Sequence, residues 1–171
     1  MTALHRLVSG KVGAKANCHC GFRLVSAAIV LSALYVSITG AQQYPSGSER
    51  ELFDAVNQER KVHHLGVLHW NEGLALAASR HALEMVKHEA ISHGFPGEAS
   101  LPERLTKTGV HFIAIAENVA DGPNVARLHE LWMKSPHHRA NILNKDMDSL
   151  GIGIVERNGQ FFAVEDFGRI K

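Results

Sequence analysis

The feature that most constrains this chain is the dipeptide Asn158-Gly159, set in "RNGQ" between the apolar runs "LGIGIVE" (Leu150–Glu156) and "FFAVEDFG" (Phe161–Gly168). A two-residue hairpin loop needs positive φ at both central positions, and Asn-Gly adopts that conformation readily. The two runs are therefore expected as antiparallel strands joined by a type I′ turn. A lone hairpin is at best marginally stable in water, so other segments must cover it. A further strand is expected in "VHFIAIAENV", an apolar run ending near Glu117. The rest has helical character. Ser48 with Glu51 forms a capping box before Leu52, Phe53 and Val56. Asn71 caps a helix whose Leu74, Ala77, Ala78, His81, Ala82 and Met85 follow a 3.6-residue period to about His88. His81 lies on that apolar face, where a hydrogen-bonded core histidine is the expected role. "SHGFPGEASLP" (Ser92–Pro102) is a loop, followed by a short helical turn that stops at Gly109. Asn124 caps a third helix carrying Val125, Leu128, Leu131 and Trp132. Ser135 and Pro136 start a last short one, with the serine hydroxyl as cap acceptor and the proline at the first helical position. The sum is an α+β domain in which helices cover an antiparallel sheet.

The N-terminal 41 of the 171 residues are of another kind. Met1–Arg23 carries Arg6, Lys11, Lys15 and Arg23 with no acidic residue. An uncharged apolar run follows, Leu24–Ile38, and then the small residues of "TGA", ending at Ala41. These are the parts of a signal peptide, and the apolar run is short for a membrane span. Residues 1–41 are read as a leader, cleaved after Ala41 or kept as an anchor, and residues 42–48 as a linker. Residues 49–171 are read as the domain. Either fate places the domain outside the cytoplasm, secreted, periplasmic or membrane-anchored. Both cysteines, Cys18 and Cys20, lie in the leader, so the domain must be held by its core without a disulfide. No basic stripe suggests nucleic acid.

Three ionisable residues sit beside apolar segments: His93 in "ISHG", Glu117 in "IAENVA" and His138 in "SPHHRANIL". Two imidazoles and a carboxylate can ligate zinc with a position left for water, or serve as acid, base and orienting group. Of the adjacent pair His137 and His138, only one can face a given place, because successive helical residues point about 100° apart. His138 stands one turn before Ile142, on the side that turns inward, and is preferred.

The segments "LFDAVNQERKVHHLGVLHWNEGLALAASRHALEM", "SHG", "AENVADG", "LWMKSPHHRANIL" and "LGIGIV…FFAVEDFG" resemble, in order, the successive motifs of the CAP superfamily. That superfamily holds cysteine-rich secretory proteins, venom antigens and plant pathogenesis-related proteins, and the likeness is greatest to its disulfide-free bacterial SCP-like members. It spans about Glu49 to Gly168. The resemblance implies an α-β-α sandwich with a central antiparallel sheet. It also implies that His93, Glu117 and His138 converge in an open cleft, where some members hold a divalent cation such as zinc. The family's second glutamate falls at Ser135 here, so its tetrad is incomplete, and Glu130 lies on another side of the helix.

Three functions follow as expectations. One is a monomeric binding module for an extracellular or envelope ligand, lipid among the classes, that needs no cofactor to fold. Another is a hydrolase or protease, metal-assisted through His93, Glu117 and His138, although no HExxH helix or GxSxG elbow is present. The third is a purely structural polar cluster. Ser92 and Ser135 flank the candidate residues, in loop and capping positions.

Overall fold

The computed structural model describes residues 47–171. The leader, both cysteines and most of the linker fall outside the described residues. The domain opens with α1 (Gly47–Val62), a two-residue β1 (His69–Trp70) and α2 (Glu72–His88). Then come α3 (Leu101–Lys107), β2 (Phe112–Gly122), α4 (Val125–Lys134), α5 (Pro136–Ile142), β3 (Ser149–Arg157) and β4 (Gln160–Ile170).

The hairpin forms as its turn chemistry requires. Asn158 and Gly159 take φ of 54° and 76°, and Arg157 faces Gln160. Strand order is β1-β3-β4-β2. The β3–β4 and β2–β4 pairings are antiparallel, but β1 runs parallel to β3, so the sheet is mixed rather than wholly antiparallel. Two residues are too few for sequence periodicity to mark β1. β2 also runs five residues past Glu117. Glu117 and Asn118 are buried there on hydrogen bonds from other elements, and the strand continues through Val119.

Helices cover both faces of the sheet. On one face α2 lies flat against β3 and β4. A Cβ added to Gly151 would stand 2.0 Å from the Ala75 backbone nitrogen, and one added to Gly153 2.2 Å from that of Ser79. Only glycine permits that approach. Asn71 caps α2 as expected, accepting from the Leu74 N–H at 3.0 Å. On the other face Leu52 and Val56 of α1 pack with Leu128 and Trp132 of α4 and Ile142 of α5. These side chains close over Leu150, Ile152 and Phe167.

α1 is tied down by Arg60, which is 1% exposed and pairs with no carboxylate among the described residues. Its guanidinium donates to four backbone carbonyls, those of Gly66 (2.7 Å), Ile142 (2.8 Å), Asn144 (2.9 Å) and Met147 (3.3 Å). Ser135 joins α4 to α5 differently from expectation. Its hydroxyl makes no capping bond. Its backbone N–H closes α4 on Leu131 and Trp132 instead, and Pro136 begins α5.

Candidate functional site

The loop between α2 and α3 carries His93, and buried polar side chains shape it. His81, wholly buried on α2, donates from Nε2 to the Ser92 carbonyl at 2.8 Å, since a carbonyl can only accept. Its Nδ1 meets Glu98 Oε1 at 2.7 Å, and Glu98 Oε2 accepts from the Phe95 N–H at 3.1 Å. His81 is thus the core histidine its position on the apolar face implies. Arg104 of α3, itself buried, donates from Nη1 to the carbonyls of His93 (3.2 Å) and Ala99 (3.3 Å). One guanidinium therefore holds both ends of the loop.

The same guanidinium fixes the carboxylate of the site. Arg104 Nη2 pairs with Glu117 Oε2, and His93 Nδ1 meets Glu117 Oε1 at 2.8 Å. Glu117 is only 3% exposed at its side chain, whereas His93 is 62% exposed. With Glu117 ionised against Arg104, Nδ1 of His93 donates and Nε2 is the ring nitrogen left for a ligand. Directly across β4 from Glu117 stands Asp166, fully buried, with no hydrogen-bond partner on either oxygen. Burial first, then the charge of Glu117, push its pKa well above the usual aspartate value, against the pull of Arg104, and its proximity to the Glu117 carboxylate adds to the rise.

His138 enters from α5, close enough to His93 for the two charges to oppose each other. Burial first, then His93 and His137, lower its pKa from 6.5, so its ring is neutral at neutral pH. His137 is exposed. The structure thus brings His93 and Glu117 into hydrogen-bond contact and sets His138 beside them.

It does not arrange the three as ligands of one metal ion. Both oxygens of Glu117 are engaged, one by a cation. Among the described residues no group of three or more His, Cys, Asp or Glu side chains is gathered to hold a metal. A zinc centre built on His93, Glu117 and His138 does not fit this arrangement. Glu130 is on the outer face of α4, paired with Arg127 and Lys134. Ser92 turns its hydroxyl to its own loop, donating to the Gly94 carbonyl at 2.6 Å, and is not poised as a nucleophile.

Beneath α5 lies a second polar set that sequence reasoning missed. Asn118, fully buried, donates from Nδ2 to the His138 carbonyl (3.2 Å) and to Glu165 Oε2 (2.9 Å), and its Oδ1 accepts from Asn141 Nδ2 (2.8 Å). Asn141 Nδ2 also reaches the Glu117 carbonyl at 3.4 Å. Three of these buried polar residues share a signal that could have found them. Asn118, Glu165 and Asp166 are polar residues within strand runs whose other members are mostly core, whereas Arg104 sits in a largely exposed short helix and carries no such signal.

Residues 53–167 match the cysteine-rich secretory protein family, CAP. An uncharacterized membrane protein of Bacillus subtilis strain 168, YlbC, is 34% identical over 111 residues, which cover 63% of this chain and 31% of that protein. Among solved structures, an extracellular protein containing a SCP domain from Bacillus anthracis strain Ames superposes with a TM-score of 0.67 at 30% identity. That match covers 72% of this chain and 40% of that one. An outer surface protein from Borrelia burgdorferi gives the same TM-score at 24% identity, covering 71% of this chain and 92% of that one, a likeness of fold. The chain spans well under two thirds of the length of the two Bacillus proteins.

Proposed function

Because the chain belongs to the cysteine-rich secretory protein (CAP) family, we propose that it is a binding module working outside the cytoplasm, which takes a small polar ligand through the imidazoles of His93 and His138. The observation that carries this reading is the closure of Glu117 between Arg104 and His93. A carboxylate so held orients a histidine, and is not free to ligate a catalytic metal or to act as a base on substrate. What remains open to solvent is a pair of ring nitrogens, able to accept from a hydroxyl or amide or to hold a cation weakly. Metal-assisted hydrolysis would need Glu117 released from Arg104. The leader-like Met1–Ala41 supports an extracytoplasmic location, as does similarity to an extracellular protein of Bacillus anthracis. YlbC is a membrane protein, in line with an anchored form. Among the described residues no helix is long and apolar enough to cross a membrane.

The test is a titration with Zn²⁺ alone, followed by NMR on the histidine rings. The expected result is weak, rapidly exchanging binding that shifts His93 and His138 together. It is lost in His93→Ala and in His138→Ala and kept in His137→Ala. One equivalent of zinc that survives gel filtration would overturn the reading in favour of an assembled metal centre. So would a loss confined to His137→Ala.

A further inference from the structure

The position of His138 depends on a group that never reaches the cleft. We propose that Glu165 and Asn118 are the positioning residues of the site: Glu165, buried on the far side of β4 from Asp166, anchors the amide of Asn118, and Asn118 holds the helix that presents His138. The proposal rests on the reading of the cleft as a site that works through His93 and His138.

The argument is one of donors and acceptors. The Asn118 amide nitrogen has two hydrogens, and both are used, one on the His138 carbonyl and one on Glu165 Oε2. Its oxygen takes the Asn141 amide. Rotating the Asn118 amide by half a turn would set its oxygen against the His138 carbonyl and its nitrogen against that of Asn141, a mismatch at both places. The His138 carbonyl, which can only accept, fixes the observed orientation, and Glu165 Oε2 is the buried acceptor that takes the second amide hydrogen in that orientation. α5 has only seven residues; its far end is held by Arg60 on the Ile142 carbonyl and by the buried Ile142 side chain, but its start, where His138 sits, is capped by no side chain. Its polar links to the sheet are these, from Asn118 to the carbonyl of His138 and from Asn141 to Asn118 and to the Glu117 carbonyl. The second link lies one turn beyond His138 on the same helix. His93, by contrast, is held through the Glu117 carboxylate and Arg104, and meets this set only through the Glu117 backbone carbonyl that accepts from Asn141. The two imidazoles are therefore positioned by different side chains, His93 chiefly by an ion pair and His138 chiefly by a buried amide and acid, although both supports meet at Glu117–Asn118 of β2.

Glu165→Gln keeps an acceptor oxygen and Glu165→Leu removes it, so the pair separates positioning from packing. Two readouts apply: the side-chain amide signal of Asn118 with the ring signals of His138, without ligand, and the affinity for Zn²⁺ alone. Glu165→Gln is expected to leave both near wild type. Glu165→Leu should shift or broaden the Asn118 amide and His138 ring signals and weaken zinc at least tenfold, with the His93 ring signals unmoved. Asn141→Ala, at a half-buried site, should loosen His138 in the same direction and serves if Glu165→Leu does not fold. Wild-type His138 signals in Asn141→Ala or in folded Glu165→Leu would overturn the proposal, as would equal losses in Glu165→Gln and Glu165→Leu. If wild-type protein takes no zinc, the reading of the cleft fails while the ligand-free signals still decide the positioning.

Discussion

Replacing Glu165 with glutamine should change how stability depends on pH, in a direction fixed by its surroundings. The side chain is fully buried, and burial raises its pKa from 4.5 to about 8, with the Asn118 hydrogen bond pulling weakly the other way. An unfolded chain loses this proton near 4.5, and the folded chain keeps it to about 8. Between those values the folded state binds more protons, so stability falls as pH rises, by roughly 1.4 kcal/mol per pH unit for one such group. Below the unfolded value the effect vanishes, and above the folded value it saturates. From about pH 5 to pH 8, with the rounding at each end, Glu165 removes about 3 kcal/mol of stability. Glutamine carries no proton to lose. Urea denaturation of both proteins across this range should show Glu165→Gln gaining about 3 kcal/mol on wild type between about pH 5 and pH 8. Asp166 is raised in the same direction but is present in both proteins and cancels. Whatever fixed cost the amide brings shifts the two curves apart without changing the difference in slope. A stability difference flat to within about 1 kcal/mol across the range would refute the reasoning, because Glu165 would then ionise alike in both states.

Two further substitutions test the frame of the site. Arg104→Leu strands the buried carboxylate of Glu117 and frees both ends of the His93 loop, so a loss of about 3–5 kcal/mol in urea denaturation is expected; a loss below about 1 kcal/mol would mean the pair is not what holds the carboxylate. Gly153→Ala drives a methyl group into the backbone of α2 at Ser79, where no flexible side chain can yield, and should cost about 3 kcal/mol or more; a neutral result would show that α2 does not lie on the sheet at that depth.

Much of this architecture can be read directly from residue order. Asn158-Gly159 specifies its turn chemically, and Asn71 and Asn124 cap the helices they precede, each accepting from the N–H three residues on. Those signals are local, so sequence carries them. Glu117, His93 and His138 are legible as candidates through the CAP-like motifs that hold them. Their arrangement is not, because Arg104, which pairs with Glu117, lies 13 residues away on a different element. Ser135 shows the same limit at short range. Its hydroxyl is a good cap by type, but the backbone already serves to close α4. β1 escapes for a third reason, since its two residues are strand only by virtue of lying along β3. Asp166 and Glu165 look like surface residues in composition and are core residues by register, one on each face of β4.

The placing of β4 has a consequence for the order in which the domain can assemble. It is the last strand in sequence, yet it lies between β3 and β2 and supplies both of their antiparallel partners. Arg60 reaches forward in the same way, to carbonyls as far as Met147. A chain emerging from its N-terminus, at a ribosome or a membrane pore, therefore has no strand partner for β2 until Gln160–Ile170 has followed it out. The apolar edge of "FIAIA" must wait unpaired through that interval. Such a domain does not fold piece by piece as it appears. It collapses late and as a unit, after its C-terminal strand arrives, and a chain stopped short of β4 would be a substrate for proteases and aggregation instead of a smaller version of the fold.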